Sequence, residues 1–589
     1  MTTSPYRNFR TAVYCTVGDV FHMEDHAWRD RALDHIRKSV HVDKVYLEPF
    51  RSMETASRDA LVEARDFFVS QGIEAAGGIT TCQTTTAEWE FRSLCYSRDE
   101  HRAILRDVAA LTASVFDEFI LDDFFFTNCT CEACVQARGD RTWAEFRLAQ
   151  MDEVARTLIV EPAKEVNPAC RVVVKYPNWY EHFDGAGYNL DTGRTVFDGV
   201  YTGTETRDEL YTAQHLPPYL SHGIMRYYEN VFPGRNGGGW VDPYQPGSLD
   251  HYGRQLRLTL LGGAREITLF CWGAIVDWST EYDTAPIDAS VFAPIAGSVF
   301  TACDPLLGEL GTPVGVPAYR PLRAAGEPLL HQYLGTIGIP VEMTPEFPDA
   351  KKGGTPVDDA PVVLLTEGAA ADDDLVAKVE ARLAAGGRVV MTSGLARALS
   401  GRGLDRIAGI GCTAAKVSTD TFTDFGDVYR SAEPILLPQI AASTNGTSEE
   451  ISFLEGKNGF PLLLRARYGP GTLYVLAVPD TPTDLYLLPR EIVSHLRRVM
   501  SVGLPLHIDG AAKVGVFPYD NDTVVIEPFL PHRTRADVVV HRPDATLTDL
   551  VSGETVSGVT AGEGDEAETR IPLDLYPNTF RAFRIGLAG

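Results

Sequence analysis

Acidic side chains follow several short apolar runs in the first half of the chain. A retaining glycosidase works with two carboxyl groups, one ionised to attack the anomeric carbon and one protonated to assist the leaving oxygen. In a barrel such a pair comes from acids at strand ends, because active-site groups lie at the carboxyl edge of the strands. The acids in these positions are Asp19, Glu48, Asp122, Asp123, Glu205 and Glu229.

The segment 223–240, GIMRYYENVFPGRNGGGW, contains the candidate nucleophile. A β-like run over Gly223–Tyr228 ends at Glu229 and is broken by a Pro-Gly pair. A glycine-rich loop then leads to Trp240, whose indole could stack on a sugar. The alternative is a strand-end glutamate that is merely solvated or paired with Arg226.

Asp122 and Asp123 stand side by side in the run 118–126. Repulsion between adjacent carboxylates is expected to raise the pKa of one of them, which is what an acid catalyst requires. The alternative is that one aspartate is a cap and the other hydrogen-bonds to barrel backbone.

Further side chains near the ends of these runs could line a sugar site. Glu205 is a reserve acid or base, and Glu48 and Asp19 are expected to bind sugar hydroxyls, with a structural role as the equal alternative. Lys175 could bind an anionic sugar, or it could pair with a nearby acid. Aromatic rings that could stack on a sugar, or equally pack at the barrel edge, are Trp179, Trp240, Trp272 and Trp278.

Three cysteines fall close together in the sequence NCTCEACVQAR. With one upstream cysteine, this C-x-C-x2-C spacing fits a tetrahedral structural zinc site, which leaves no open position for chemistry. A redox or nucleophilic thiol is the alternative, and it would need a thiolate near a histidine or a helix start. The predicted zinc ligands are Cys95, Cys129, Cys131 and Cys134.

Eight β-like runs alternate with stretches of helix length between residues 11 and 273. This alternation is typical of a (β/α)8 TIM barrel, and it predicts a catalytic barrel over residues 1–304. Acids after the fourth and seventh strands would then flank a sugar at the barrel mouth. The predicted strands are Thr11–Val17, Lys44–Phe50, Gly72–Thr80, Glu118–Phe126, Arg171–Tyr176, Gly199–Gly203, Gly223–Tyr228 and Glu266–Trp272.

A second alternation of strands and helices covers residues 305–505. It predicts a doubly wound α/β domain with a polar, irregular insertion over residues 402–460. No cysteine stands at a strand–helix elbow there, so the domain is expected to be an assembly module rather than an amidotransferase. Beyond this region the helical pattern disappears, and short strands predict a small antiparallel β-sandwich over residues 506–589.

The chain of 589 residues carries a formal net charge of −27. Such a negative field repels nucleic acid and anionic membranes, so neither is an expected partner. The first residues have no apolar core of signal-peptide length and no window approaches about 18 uninterrupted apolar residues, so no transmembrane helix is expected and the expected location is the cytoplasm. The expected partner is a small carbohydrate substrate.

The barrel motifs resemble those of the family 42 glycoside hydrolases, which are β-galactosidase-type retaining enzymes of clan A. YYENVFPGRNGGGW, followed by GSLDHYGRQLRLTLLGGAREITLFCWGAI, is similar to the family's seventh- and eighth-strand segments, and the cysteine spacing is similar to its zinc cluster. The resemblance implies that Glu229 is the nucleophile, that Trp240 lies in the seventh-strand loop and that Trp272 ends the eighth strand. It also implies an amidotransferase-like trimerisation domain, a structural zinc ion and a homotrimer.

The fourth strand departs from the family pattern. The family has Asn-Glu there, and this chain has Asp122-Asp123. Asp123 falls on the acid/base position with a side chain shorter by about 1.5 Å, one carbon–carbon bond. Asp122 falls where the asparagine binds the sugar 2-hydroxyl. A different sugar, a furanose ring or a good leaving group would suit the shorter acid, and a changed carboxyl separation could favour inversion.

These observations predict an exo-acting retaining glycoside hydrolase that removes a terminal sugar by double displacement. In this prediction Glu229 attacks, Asp123 is the acid/base, and Asp122 with Glu205 orients hydroxyl groups. One alternative is a carbohydrate-binding or assembly protein that has lost acid/base chemistry. The other is a metal-dependent barrel lyase or isomerase with Asp122 and Asp123 as metal ligands.

Overall fold

The computed structural model of the chain divides into two compact units. One unit comprises residues 1–216 and 224–308, and the other comprises residues 217–223 and 309–589. The residues that the structure describes are 4–83, 92–212, 214–276, 288–348, 361–443, 446–564 and 567–587.

The first unit contains a closed barrel of eight parallel strands, as predicted. The first strand pairs in parallel with both the second and the eighth, which closes the sheet. A two-residue strand, Glu54–Thr55, pairs antiparallel with the end of the second strand. The barrel strands are β1 (Arg10–Cys15), β2 (Lys44–Arg51), β3 (Glu74–Ile79), β4 (Glu118–Leu121), β5 (Arg171–Tyr176), β6 (Gly199–Gly203), β7 (Asn236–Val241) and β8 (Glu266–Phe270).

Helices cover the outside of the barrel and bury their apolar faces against the strands. In the helix Arg58–Ser70, for example, Ser57 caps the first turn, and Leu61 and Phe68 pack in the same buried core as Val45 of β2. The α-helices that lie wholly or mostly in this unit are Val17–His22, His26–Arg37, Arg58–Ser70, Asp99–Ala113, Glu132–Arg138, Trp143–Val154, Glu161–Val166, Phe183–Ala186, Leu190–Thr195, Leu220–Val231, Leu249–Leu261 and Phe292–Leu307.

The strand predicted over Gly223–Tyr228 is wrong. These residues lie in the helix Leu220–Val231, where buried apolar side chains recur at helical spacing. The seventh strand is β7, whose NGGG run hides it from a search for apolar stretches. A Cβ atom on Gly238 would lie 1.9 Å from the carbonyl oxygen of Glu266 in β8, so glycine is required for the two backbones to approach.

One helical stretch among the described residues, Ala289–Leu307, is long and apolar enough to cross a membrane by length and composition alone. Phe292, Ala296 and Phe300 from this stretch belong to the buried core between the barrel and its helices. Packing within the barrel unit therefore accounts for its apolar composition.

The second unit contains a nine-stranded mixed sheet. Its parallel strands alternate with helices, as predicted, and in sheet order they are Val341–Thr344, Val316–Tyr319, Val362–Leu365, Arg388–Thr392 and Gly471–Leu476. The irregular insertion predicted over residues 402–460 is wrong, because most of it forms antiparallel strands that extend the sheet. These strands are Asn458–Tyr468, Thr447–Glu455, Ile410–Asp424 and Asp427–Ala442. The α-helices of this region are Leu330–Thr336, Leu375–Ala384, Ser393–Ala398 and Arg490–Met500.

The strands after residue 505 form a sandwich of two antiparallel sheets, as predicted. Side chains from both sheets, such as Ile508 and Val516, share one buried core. In sheet order the strands are Leu506–Gly510, Thr534–Val540, Glu568–Leu575 and Val559–Ala561 in one sheet, and Val514–Pro518, Thr523–Pro528, Arg581–Leu587, Ala545–Asp549 and Thr555–Ser557 in the other.

Candidate active site

Charged side chains from five strands converge at the carboxyl edge of the barrel. This is the edge at which barrel enzymes place their active sites. The group comprises Glu48 and Arg51 of β2, Asp122 and Asp123 after β4, Lys175 of β5, Glu205 and Arg207 after β6, and Asp242 after β7.

The ammonium of Lys175 is at the centre of this group. Its Nζ donates to Asp123 Oδ2 at 2.9 Å and to Glu205 Oε1 at 3.0 Å, and it lies 3.8 Å from Asp122 Oδ1. The ring of Trp240 packs against it, with the centroid 4.6 Å from the nitrogen. Three carboxyl groups already surround Lys175, so the structure favours the prediction that it pairs with acids, and the binding of an anionic sugar by Lys175 stays a prediction.

The two adjacent aspartates differ in their protonation. Burial raises the pKa of Asp123 to about 8, and the charge of Asp122 adds to this rise while Lys175 opposes it. Burial also opposes the ionisation of Asp122, but the charges of Lys175 and Arg51 outweigh it and lower the pKa of Asp122. Near neutral pH the proton of this pair therefore resides on Asp123, the state that an acid catalyst needs.

Both oxygens of Asp122 are engaged. Oδ1 accepts the amide N–H of Asp123 at 2.8 Å, and Oδ2 accepts from the Thr80 hydroxyl and from Arg51 Nη2, each at 3.1 Å. Its side chain is 2% exposed. Asp122 is therefore placed to orient the backbone of Asp123 and the guanidinium of Arg51.

Glu48 is a fully buried anchor for the same arginine. Its Oε2 accepts from Arg51 Nε and from the amide N–H of Val17, each at 2.8 Å. Its Oε1 accepts from the hydroxyl of Tyr14 at 2.7 Å and from that of Thr80. Of the two alternatives for Glu48, the structure favours the structural one.

Asp19 also has the structural role. It belongs to the first turn of the helix Val17–His22, and its Oδ2 accepts from the amide and the hydroxyl of Thr16 at 2.8 and 2.9 Å. Its Oδ1 accepts the amide N–H of Gly273, beyond β8, at 3.0 Å. Burial raises the pKa of Asp19 to about 7. These contacts tie the end of β1 to the end of β8 and use both oxygens, so the predicted hydroxyl-binding role is not supported.

The second carboxylate of interest, Asp242, follows the corrected seventh strand. Its Oδ2 accepts from Arg207 Nη2 at 2.7 Å and its Oδ1 from Arg207 Nε at 3.2 Å, which is a bidentate ion pair. Oδ1 also accepts the amide N–H of Tyr244 at 3.2 Å. Arg207 interacts electrostatically with Glu205 and Asp123 as well, so these groups share one electrostatic field.

Glu229 does not lie at this edge of the barrel. It is in the last turn of the helix Leu220–Val231, and its oxygens accept from Arg265 at 2.9 and 3.1 Å. Arg265 precedes β8 and also donates to the carbonyl oxygen of Asn236, the first residue of β7. Glu229 is thus at the amino edge, and the prediction that it is the nucleophile is wrong because the strand assigned before it is a helix. Pairing was foreseen as the alternative, but the partner is Arg265.

Two of the predicted stacking rings have no exposed face. Trp240 lies in β7 rather than in a loop, and its ring packs on Tyr14 with centroids 4.9 Å apart. Trp272 is fully buried in the core between barrel and helices. The prediction that these two rings stack on a sugar is therefore wrong. Trp179 is half-buried and stays a candidate, and Trp278 lies outside the described residues.

The four cysteines predicted as zinc ligands come together in the first unit. Their sulfur atoms lie within 4.8 Å of one another, and three of the Sγ–Sγ separations are 3.5, 3.6 and 3.8 Å. Zinc–sulfur bonds of about 2.3 Å in a tetrahedron place the sulfurs roughly 3.8 Å apart. The donor set and its spacing therefore fit a tetrahedral zinc ion.

Three residues of the site are not predicted from the sequence. Asp242 is hidden by the glycine run of β7, although WVDPY, in which an acid follows two apolar residues and precedes a proline, is a usable signal. Arg51 and Arg207 are recognisable only once their acidic partners are in place, because an arginine near a strand end is common in any barrel.

Family models cover each part of the chain. Residues 1–288 match the model described as "Probable glycosyl hydrolase, catalytic domain", and residues 505–585 match "Probable glycosyl hydrolase, C-terminal domain". Residues 311–481 match "Uncharacterized protein SSO3021, second domain". The uncharacterized protein SSO3021 of Saccharolobus solfataricus is 29% identical in an alignment of 303 positions that covers 46% of this chain and 50% of that protein. The match thus spans about half the length of this curated relative.

Solved structures match nearly the whole chain. Gan42B, a GH42 beta-galactosidase from G. stearothermophilus, aligns with a TM-score of 0.65 at 12% identity over 99% of both chains. A beta-galactosidase from Bacillus circulans sp. alkalophilus aligns with a TM-score of 0.62 at 11% identity over 99% of both chains. The chain has the GH42 fold. The same GH42 fold also aligns with an exo-carrageenase from Bacteroides ovatus, with a TM-score of 0.51 at 9% identity over 100% of this chain and 82% of that chain.

Proposed function

We propose that the protein is a retaining glycoside hydrolase that removes a terminal sugar, with Asp123 as acid/base and Asp242 as nucleophile. The family models and the GH42 fold support the enzyme class. The residue assignment rests on one observation: two carboxyl groups at the carboxyl edge of the barrel have different surroundings. Burial raises the pKa of Asp123 to about 8, whereas Asp242 is bound as a carboxylate by Arg207.

The first step forms a covalent intermediate. An oxygen of Asp242 attacks the anomeric carbon while the bond from that carbon to the leaving oxygen breaks. Asp123 transfers its proton to the leaving oxygen, so the aglycone departs as a neutral alcohol. Lys175 already donates to Asp123 and stabilises the carboxylate that forms there.

The second step releases the sugar. Asp123, now a carboxylate, removes a proton from a water molecule, whose oxygen attacks the anomeric carbon. The ester bond to Asp242 breaks, and its electron pair returns to the Asp242 carboxylate. Both groups regain their starting states, and two inversions at one carbon give net retention.

Glu205 is the competing candidate for the nucleophile. Because Lys175 Nζ binds both groups, the Glu205 and Asp123 oxygens are separated by no more than the sum of 2.9 and 3.0 Å. That limit is close to the separation of about 5–5.5 Å in retaining glycosidases. Burial raises the pKa of Glu205, however, and Lys175 occupies the gap between the two carboxyl groups. We therefore assign Glu205 to positioning Lys175 and a sugar hydroxyl.

The charge balance of the site favours a neutral sugar. Five carboxyl groups face three cationic side chains, and with Asp123 protonated four carboxylates still outnumber the cations, so an anionic sugar would meet net repulsion. The same cations argue against the alternative metal-dependent lyase or isomerase, because Lys175 and Arg51 occupy the positions around Asp122 where a metal ion would bind. Neutral aryl glycosides, with a β-galactoside first, are the substrates to test.

We also propose that the cysteine cluster holds a structural zinc ion. Arg98, which hydrogen-bonds to Cys131, would offset part of the negative charge of four thiolates. The zinc ion would fix the loop after β4, which carries Asp123 at its start. The homotrimer and the cytoplasmic location stay predictions from the sequence and the family resemblance.

Azide rescue tests the residue assignment. In Asp242→Ala, azide takes the place of the nucleophile, and an activated aryl glycoside should give a glycosyl azide of inverted configuration. In Asp123→Ala, azide attacks the covalent intermediate instead and should give the retained configuration. If Glu205→Ala gives a glycosyl azide of inverted configuration and azide does not rescue Asp242→Ala, Glu205 is the nucleophile.

The stereochemistry of wild-type turnover tests the mechanism itself. The first sugar released should have the configuration of the substrate, as followed by NMR before mutarotation. Release of the opposite anomer would overturn the double displacement, and absence of hydrolysis across pyranosides and furanosides would favour the carbohydrate-binding alternative.

A further inference from the structure

Two histidines and a glutamate meet at one end of the four-stranded sheet of the sandwich. They come from three adjacent strands or strand ends. One ligand atom each from His507, His541 and Glu568 lies within 4.8 Å of the other two. His541 Nε2 is 2.8 Å from His507 Nδ1 and 3.7 Å from Glu568 Oε1.

The strand register directs these side chains away from the sandwich core. Leu506 is opposite Val540, and both belong to the buried core. His507 and His541 are the next residues along their strands, so they point to the other face of the sheet. His507 is nevertheless only 2% exposed. His507 is therefore a buried polar side chain outside the apolar core, where such a group needs partners, whereas His541 and Glu568 are partly exposed.

A hydrogen bond orients the His541 ring as metal ligands are usually oriented, and the His507 ring faces a carboxylate with its outer nitrogen. His541 Nδ1 lies 2.8 Å from the carbonyl oxygen of Leu504, which can only accept, so His541 Nδ1 carries the proton and Nε2 keeps its lone pair. His507 Nε2 lies 3.6 Å from Asp509 Oδ1. A metal-bound histidine typically donates its other ring nitrogen to a carbonyl or a carboxylate, and both rings face such a group.

The contacts within the cluster leave one carboxylate oxygen of Asp509 without a hydrogen bond among the described residues. Because His541 Nε2 is an acceptor, His507 Nδ1 must donate across the 2.8 Å contact, and a neutral His507 then has no proton on Nε2. Asp509 Oδ1 is buried and has no hydrogen-bond donor among the described residues. A cation bound at His507 Nδ1 would move the ring proton to Nε2, which could then donate to Asp509.

We propose that His507, His541 and Glu568 bind a zinc ion in the sandwich. Two imidazole nitrogens and one carboxylate oxygen are donors that suit zinc, and three protein ligands leave the fourth tetrahedral position for water. This site is distinct from the cysteine cluster, which lies in the barrel unit. Its ligands come from three neighbouring strands, so the bound ion would hold this end of the sheet together.

Metal content of the full chain tests the site. Protein stripped with a chelator is reloaded with zinc chloride, desalted and analysed by mass spectrometry for zinc per chain. His541→Ala and Glu568→Gln should each bind one zinc ion fewer than the wild type, whereas the exposed control His532→Ala should bind the wild-type amount. Wild-type zinc content in both ligand variants would overturn the proposal.

A second pair of variants keeps the proposal testable if ligand substitutions impair folding. Asp509 and Asp537 both pair with Arg570, but only Asp509 faces His507. Asp509→Asn should weaken zinc binding at this site about 10–100-fold, and Asp537→Asn should leave it unchanged. Chelator competition after the thiolate site is filled measures this step. Equal affinities in the wild type and both variants would overturn the proposal.

Discussion

The barrel carries a bidentate arginine–carboxylate pair at each of its two edges, and only one edge is organised for chemistry. At the amino edge Glu229 pairs with Arg265, and the glutamate side chain is 21% exposed. At the carboxyl edge Asp242 pairs with Arg207 in similar geometry, with the aspartate side chain 7% exposed. The local ion pair is thus nearly the same at both edges.

The surroundings of the two pairs differ. Arg207, the partner of Asp242, also interacts with Glu205 and with Asp123, whose pKa burial raises to about 8, and a buried lysine, Lys175, donates to both of these acids. Buried titratable groups held in unequal protonation states are typical of active sites, whereas a paired carboxylate by itself is typical of any protein surface. The comparison teaches that the neighbours of a carboxylate identify its role better than its own partner does.

The largest expected effect separates the two edges directly. Asp242→Ala should lower kcat on any accepted aryl glycoside by about 10⁴-fold or more, because the covalent step loses its nucleophile. The matched variant Glu229→Ala should keep wild-type kcat. Steady-state kinetics on both variants measure kcat. A large loss of kcat in Glu229→Ala with a small loss in Asp242→Ala would assign the active site to the amino edge instead of the carboxyl edge.

Replacement of the acid should have a smaller and leaving-group-dependent effect. Asp123→Ala should lower kcat/KM about 10²–10⁴-fold for alkyl glycosides, and much less for dinitrophenyl glycosides, which need no proton. In the wild type kcat/KM should fall as the pH rises through about 8, because burial sets the pKa of Asp123 there and its proton is then lost. This alkaline limb should disappear in Asp123→Ala, and its persistence would assign the limb to another group.

Removal of the central lysine should change the pH profile as well as the rate. Lys175→Met should lower kcat roughly 10²-fold, since one preorganised donor is lost. Burial and the Asp122 charge raise the pKa of Asp123 and Lys175 opposes them, so without Lys175 the pKa rises further and the alkaline limb moves to higher pH. The control is Lys164→Met, which removes a partly exposed lysine paired with Asp198. It should change neither kcat nor the position of the alkaline limb. A downward shift of the limb would contradict the assigned role of Lys175.

The smallest expected effect concerns stability at the amino edge. Glu229→Gln should lower the free energy of unfolding by about 0–1 kcal/mol, as expected for a partly exposed ion pair. Urea denaturation measured side by side with the wild type gives this value. A loss above about 3 kcal/mol would mean that the pair behaves as a buried one.

Several features of the site could be predicted without coordinates. The alternation of strands and helices places Asp122, Asp123 and Glu205 at the carboxyl edge, and repulsion between adjacent acids anticipates the raised pKa of Asp123. The cysteine spacing anticipates the cluster that the fold assembles. The adjacent aspartates and the three cysteines of the C-x-C-x2-C run are neighbours along the chain as well as in space, so a local pattern carries the information.

The nucleophile candidate could not be predicted in this way. Glu229 follows an apolar run and precedes a Pro-Gly turn, which is the expected local pattern, but that run is buried at helical spacing. β7 has few apolar residues because its glycines allow the backbone to approach β8. A strand selected for close backbone approach does not show the apolar composition by which strands are recognised.

The sequence by itself determined the order of the three folding patterns, seven of the eight barrel strands and the grouping of the cysteines, since all of these depend on local periodicity and spacing. Tertiary structure decided which of the acidic residues that follow strands lie together at the carboxyl edge of the barrel. It also decided which tryptophans are buried and which arginine holds which carboxylate. These outcomes depend on strand-to-strand packing across the barrel, where residues far apart in the chain set the environment of each charge.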